Sequence, residues 1–356
     1  MMKNKKKICL VGGGSAGHVF PALAISSRLL ENGWEIEFIG SRSGLERGLL
    51  ADSPLIVREI FSGKLRRYWS FRNFSDVFLV IIGFLQSLFL LWRFRPGVVF
   101  SKGGFVSVPV VYAAALLRIP TIAHESDYSP GLANRLAAPF LKAFCITFSD
   151  TRLAWFRNRL VHTGNPVRTE FLSADPERGK AFIGKGEREI LLILGGSQGA
   201  ETINKIVRES LAELSRHFLV VHICGPGKRV ESSHQNYIQF EFVGKEMADV
   251  LAAADLVVSR AGSNSLFEII AMKKPNILIP LGLSSSRGDQ ILNARYASEN
   301  GWSSVITEET LTSETFVEQL LLLHENSNVY LENLSGFEPK EAVEKIIIEI
   351  ECLQKN

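Results

Sequence analysis

Cysteine is scarce in this 356-residue chain: Cys9, Cys145, Cys224 and Cys352 stand far apart, and no C-x-x-C occurs. That spacing argues against a disulfide framework and against a cysteine zinc site, and a reducing cytoplasm is the simplest setting. A secretory leader is not read either. The Lys3–Lys7 basic run is followed by an apolar stretch that three glycines cut within a few residues, too short for a signal peptide. Net charge is small, +3 at pH 7, yet it is unevenly spread. Residues 1–164 hold 21 Lys and Arg against 10 Asp and Glu, and the remainder hold 19 against 27, so the two parts carry about +11 and −8. A basic first half of that kind faces a polyanion, either nucleic acid or an anionic membrane surface.

What is present is apolar sequence in the right rhythm. The length fits two domains of about 150–200 residues. Short apolar, β-branched runs alternate with helical patterns, the signature of parallel sheets built from βαβ units. Strands are expected near 7–11, 35–39, 55–60, 98–101, 120–123, 143–147 and 160–163, then near 189–194, 218–223, 238–242, 255–259, 276–280 and 303–307. Two glycine turns follow strands at equivalent places: Gly12-Gly13-Gly14-Ser15-Ala16-Gly17-His18 and, 183 residues on, Gly195-Gly196-Ser197-Gln198-Gly199. The second opens a helix expected over 200–214. The chain therefore reads as two copies of one doubly wound α/β architecture. Gly164-Asn165-Pro166 is the expected hinge, because proline fixes φ and biases its predecessor away from helix. The domains are read as 1–164 and 165–337, and an amphipathic acidic helix over about 338–356 could pack back on the first.

One segment breaks this rhythm. Val77–Trp92 is sixteen residues without a charge, short of the roughly 20 a spanning helix needs. It can be a buried crossover helix, but its flank interleaves Lys64, Arg66, Arg67, Arg72, Arg93 and Arg95 with Tyr68, Trp69, Phe71 and Phe74. Basic residues among aromatics suit an anionic bilayer surface rather than nucleic acid. A partly buried helix whose outer side and preceding loop touch membrane is the expectation.

Residues 12, 14 and 17 satisfy G-x-G-x-x-G, which alone suggests a bound dinucleotide. That reading needs an acid at the end of the second strand to hold the ribose, and Gly40-Ser41-Arg42 stand there instead. Three further clusters follow strands. Ser259–Glu268 opens a helix with small residues, so that exposed N–H groups and Arg260 make a diphosphate cradle and Glu268 can meet a ribose. Asp289, Gln290 and Asn293 could read sugar hydroxyls. His124-Glu125-Ser126-Asp127 shares its sheet end with His18, and two histidines with two carboxylates are general-base material.

Seven motifs taken together resemble the MurG family. They are Gly-Gly-Gly-Ser-Ala-Gly-His-Val-Phe-Pro-Ala (12–22), Ser-Lys-Gly-Gly-Phe-Val-Ser-Val-Pro (101–109), His-Glu-Ser-Asp…Pro-Gly-Leu-Ala-Asn (124–134), Gly-Asn-Pro-Val-Arg (164–168), Gly-Gly-Ser-Gln-Gly-Ala (195–200), Arg260…Glu268, and Asp-Gln…Asn-Ala (289–294). The resemblance covers nearly the whole chain. It implies the GT-B fold, two doubly wound Rossmann-like domains facing across a cleft, and a peripheral enzyme on the cytoplasmic face of the cell membrane. The implied reaction is inverting transfer of N-acetylglucosamine from UDP-GlcNAc to the C4 hydroxyl of the N-acetylmuramoyl group of lipid I, giving lipid II for the cell wall.

The resemblance also assigns residues. Arg168, Ser197, Gln198, Val243, Arg260, Gly262, Ser263, Glu268, Asp289, Gln290 and Asn293 would surround the nucleotide sugar, Val243 through backbone atoms. Gly13, Gly14, Ser15, Gly17, Gly103, Gly104, Asp127 and Asn134 would face the acceptor. His18 is the base candidate, with Asp127 and Glu125 as alternatives. Trp69, Phe71, Phe74, Arg66, Arg67 and Arg72 would meet the membrane, and a cell-wall synthesis complex is a possible partner. No cofactor and no metal are expected, in keeping with the lack of a D-x-D pair. The chain departs from the commonest pattern at three points: Ser15-Ala16 for Thr-Gly, Ser126-Asp127 for Gln-Asn, and Asp289 where Gln or His is frequent. Two other readings remain at this point, another membrane-associated GT-B enzyme such as a diacylglycerol glucosyltransferase, and a non-catalytic nucleotide-binding protein.

Overall fold

The computed structural model describes residues 6–42, 44, 46–51, 53–63, 72–151, 153, 156, 158–184, 188–196, 198–283 and 286–355. The chain forms two compact units, one of residues Met1–Arg168 with Lys340–Asn356 and one of Thr169–Pro339.

In the first unit seven strands make one parallel sheet: β1 (Lys7–Val11), β2 (Glu35–Ser41), β3 (Ile56–Ile60), β4 (Val98–Ser101), β5 (Thr121–Glu125), β6 (Ala143–Ile146) and β7 (Arg159–His162), in the spatial order β3-β2-β1-β4-β5-β6-β7. Most are continuous apolar runs, as strands covered on both faces require. Ile8, Leu10, Phe38 and Phe100 are fully buried on one face with the helix Ala16–Glu31, and Cys9, Val11, Ile39 and Val99 on the other with Leu91 and Val110. Each such side chain contributes about 1.5–3 kcal/mol by leaving water. The C-terminal helix, Lys340–Lys355, belongs to this unit. Its Ile346, Ile347 and Ile350 complete the first core, and Glu349 pairs with Arg159 at 2.7 Å.

The second unit holds β8 (Ile190–Leu194), β9 (Leu219–Ile223), β10 (Tyr237–Phe240), β11 (Leu256–Ser259), β12 (Asn276–Leu278) and β13 (Ser304–Val305), all parallel, in the order β10-β9-β8-β11-β12-β13. Both sheets reverse direction of winding beside their first strand, between β1 and β4 and between β8 and β11. Crevices for ligands open at the carboxyl ends of such strand pairs.

Two details differ from expectation. The helix expected over 200–214 is two helices, Glu201–Glu209 and Leu211–His217, separated at Ser210, whose φ of −92° and ψ of −1° lie at the edge of the helical region. Its carbonyl accepts from both Glu213 and Leu214, a tightened turn that redirects the chain. Gly164 and Asn165, expected at the hinge, are fastened inside the first unit: His124 Nε2 donates to the Gly164 carbonyl at 2.8 Å, and the Ser126 hydroxyl donates to Asn165 Oδ1 at 2.9 Å.

The uncharged segment lies within a 23-residue helix, Arg72–Phe94. By length and composition alone, Asp76–Phe94 could cross a membrane. One side, however, packs against the sheet through Phe84, Leu88 and Leu91, and the backbone at Gly83 comes so close to the Phe61 carbonyl that a Cβ would collide with it. The other side leaves Phe78, Ile81, Leu85, Phe89 and Trp92 half or more exposed. The helix is thus neither wholly buried nor detached. Arg66, Arg67, Trp69 and Phe71 lie outside the described residues, and of Arg72 and Phe74 only the helical backbone is described.

Candidate active site

At the carboxyl end of β1 the glycine turn is shaped by close packing. A Cβ on Gly104 would collide with the Gly13 carbonyl, so the turns after β1 and β4 touch backbone to backbone. A Cβ on Gly13 would strike the carboxylate of Glu46, which is 1 % exposed and accepts the Gly14 N–H at 2.6 Å. Part of what the first glycine motif accomplishes is therefore room for an internal acid. Neither spacing nor composition singled out Glu46.

His18 sits in the first turn of the helix Ala16–Glu31, half-buried, with its Nδ1 2.9 Å from the Ser15 hydroxyl. Four residues carry the turn after β5. Glu125 accepts from the backbone N–H groups of Asp127 (3.2 Å) and Gly131 (2.8 Å) and from Asn134 Nδ2 (3.0 Å), so its carboxylate organises the loop. His124 is fully buried, and burial, aided by the nearby charge of Lys102, holds its pKa well below the usual range despite the bond to Gly164. It is a neutral structural tie. Asp127 is half-buried at the same end of the sheet.

Lys102 directly follows β4 and is the residue that sequence reasoning passed over. It is 2 % exposed, its ammonium donates to the Ser126 hydroxyl, and that hydroxyl continues to Asn165. Burial lowers its pKa to about 8, with Glu125 and Asp127 opposing the fall. A lysine kept buried beside a sheet's switch point is a candidate functional residue. Only tertiary burial reveals it. Arg168, at the end of the first unit, lays its guanidinium over the Phe20 ring at 4.1 Å.

The second unit gathers most of the candidates for the nucleotide sugar. Gly196 and Gly199, both at positive φ, shape the turn after β8, while Ser197 lies outside the described residues. Beneath this turn Asn204 donates to the Cys224 carbonyl and bonds His222 at 2.9 Å; burial, then Arg208, takes the His222 pKa down to about 4. Val243, after β10, is buried. After β11, Gly262 is the N-cap of the helix Ser263–Ala271 and has no side-chain cap, Ser263 is buried in its first turn, and Glu268 is half-buried farther along. Asp289 and Gln290 begin the helix Asp289–Glu299 behind Gly288, which takes a left-handed φ of 81°. Gln290 Oε1 accepts the Leu281 N–H at 3.1 Å, and the buried Asn293 donates to the Ala261 carbonyl at 3.0 Å. These two amides tie the loops after β11 and β12 to one helix start. Arg260 is 9 % exposed and pairs with Glu308 at 2.7 Å. The arrangement offers helix N-terminal N–H groups and one oriented cation, which suits a diphosphate.

Among the described residues no three His, Cys, Asp or Glu side chains gather closely enough to hold a metal ion.

Comparison with known proteins identifies the family. The glycosyltransferase family 28 N-terminal domain matches residues 8–146, and the glycosyltransferase family 28 C-terminal domain matches residues 190–347. The UDP-N-acetylglucosamine–N-acetylmuramyl-(pentapeptide) pyrophosphoryl-undecaprenol N-acetylglucosamine transferase of Clostridium kluyveri is 46 % identical over 349 residues, 97 % of this chain and 99 % of the relative. The protein of the same name from Clostridium novyi is 44 % identical over 356 residues, 99 % of this chain and all of the relative. Among solved structures, Acinetobacter baumannii MurG superposes with a TM-score of 0.74 at 22 % identity, covering 99 % of this chain and 100 % of that one. Two doubly wound parallel-sheet units are the GT-B plan. The chain belongs to glycosyltransferase family 28 and, within it, to the MurG family.

Proposed function

We propose that this protein transfers N-acetylglucosamine from UDP-GlcNAc to the C4 hydroxyl of the muramoyl sugar of lipid I, with inversion, to make lipid II. What carries this reading is the 46 % identity to the Clostridium kluyveri transferase across almost the whole of both chains. The donor is assigned to the second unit. Arg260, Ser263 and the helix N-termini after β8 and β11 meet its diphosphate, each dipole contact contributing about 0.3–2 kcal/mol as charge develops on departing UDP. Glu268 meets the ribose, Val243 the uracil, and Asp289, Gln290 and Asn293 the sugar. Ser197, Gln198 and Arg168 are assigned to the same donor. The acceptor is assigned to the first unit, at Gly13, Gly14, Ser15, Gly17, Gly103, Gly104, Asp127 and Asn134. His18 is the base, and Lys102 supplies positive charge beside the acceptor diphosphate. Incubation of the full chain with lipid I and labelled UDP-GlcNAc tests the reading. A labelled lipid-linked disaccharide is expected; label on diacylglycerol instead, or no lipid-linked product, would sink it.

An undecaprenyl-linked acceptor stays in a bilayer, so the enzyme must work at a surface. The exposed row on the helix Arg72–Phe94, in a half that carries an excess of positive charge, is assigned to the anionic cytoplasmic face of the cell membrane. Changing Phe78, Leu85, Phe89 and Trp92 together to serine is expected to weaken binding to phosphatidylglycerol vesicles by about tenfold or more. Turnover of a soluble acceptor analogue should hold. Unchanged vesicle binding would show that this face is wrong.

A further inference from the structure

Segments that follow three different strands of the second sheet meet on one side chain. Glu308, just beyond β13, accepts from Arg260 Nη2 at 2.7 Å, after β11, and from the Gly282 N–H at 3.0 Å, after β12. The hydroxyl of Thr202, in the first turn of the helix that follows β8, is near enough to favour the charged form of the same carboxylate. Partial burial works against its charge, but the bonds from Arg260 and Gly282 outweigh it and hold the carboxyl below the usual range. Glu308 is an anion at neutral pH.

Arg260 shows what that anion orients. Nη1 donates to the carbonyls of Ile279 at 3.1 Å and Pro280 at 3.4 Å, and Nη2 donates to Glu308. Three of the five N–H groups of the fork are thereby tied. The Nε hydrogen and one on Nη2 have no partner among the described residues, and donors on adjacent nitrogens are the pair with which a guanidinium grips a phosphate. A guanidinium this buried also needs a counter-charge.

We infer that Glu308 is a positioning residue for the donor diphosphate: it fixes the plane of the Arg260 fork and locks that fork to the loop after β12. This rests on the assignment of the donor to the second unit.

Titration calorimetry of the full chain with UDP and, separately, with uridine tests it. Glu308→Gln keeps the shape and the acceptor for Gly282 and removes the charge. UDP is expected to bind roughly tenfold or more weakly, and kcat with UDP-GlcNAc to fall in step. Uridine, which lacks the phosphates, should bind within about twofold of the wild type. Unchanged or tighter UDP binding overturns the inference, the latter because Glu308 would then compete with the diphosphate. Equal losses for UDP and uridine overturn it too, since they would mark a general structural role. Should Glu308→Gln fail to melt cooperatively, Glu308→Asp, which withdraws the carboxylate from Arg260 and Gly282, carries the same contrast, with a selective loss of UDP of about threefold expected and a uniform or absent loss contrary. A wild-type chain that binds no UDP sinks the donor assignment itself, a different and recognisable result.

Discussion

His18→Ala is expected to cut turnover by about 10²–10⁴-fold, the range for loss of a positioned general base, while UDP affinity stays within about twofold. The attacking hydroxyl must lose its proton as the bond to the anomeric carbon forms. His18, proposed as the base, lies in the turn that follows β1, beside the switch point of the first sheet. Its Nδ1 lies 2.9 Å from the Ser15 hydroxyl, a contact that helps to fix the plane of the ring. The substitution removes no packing from the core, because Ser15 caps the helix through its backbone and His18 is only half-buried. Asp127 provides the comparison. Asn is the commoner residue at this position in the family pattern, so Asp127→Asn should leave turnover within about threefold if His18 is the base. Steady-state rates of both variants with one soluble acceptor decide between them. Loss on Asp127→Asn with retention on His18→Ala would exchange the two roles.

The sheet architecture was legible because parallel strands covered on both faces need runs such as Ile8–Val11 and Ile190–Leu194, whose burial leaves little alternative structure. The glycine turns were legible as turns, since left-handed φ values at Gly14 and Gly196 exclude most other residues. Their purpose was not. Gly13 makes way for Glu46 and Gly104 for the Gly13 carbonyl, contacts between segments far apart in sequence. The same limit hid Lys102 and Glu308. Lys102 reads as an ordinary lysine before a glycine pair until β5 and its loop enclose it. Glu308 follows a two-residue strand and looks like a surface acid until the loops after β11 and β12 close on it. The helix break at Ser210 escaped because helical periodicity continues on both sides of it.

Lys102→Met should make the protein more stable and a poorer enzyme. Burial takes the Lys102 pKa from 10.5 to about 8, a difference that corresponds to about 3 kcal/mol held against the native state wherever both states keep the proton. That condition holds below pH 8. Between about 8 and 10.5 the unfolded chain binds a proton that the native state has given up, so native stability gains as pH rises through this window and the cost of the lysine disappears. Methionine fills similar volume without charge. The variant is therefore expected to melt several degrees higher than the wild type at pH 7, with the gap narrowing steadily toward pH 10. Comparing the two proteins at each pH removes titrations that do not involve Lys102, chiefly that of Cys9. Burial drives the Cys9 thiol far up, so it destabilises the native state in alkali in both proteins alike, whereas the Cys145 thiol, also driven up by burial, loses the opposing pull of the Lys102 charge in the variant. A lower melting temperature at pH 7, or a gap that does not narrow, would contradict the buried-cation account. Turnover should fall by about tenfold or more, through KM for the acceptor rather than for UDP-GlcNAc, because the charge kept at this cost lies beside the loops assigned to the acceptor diphosphate.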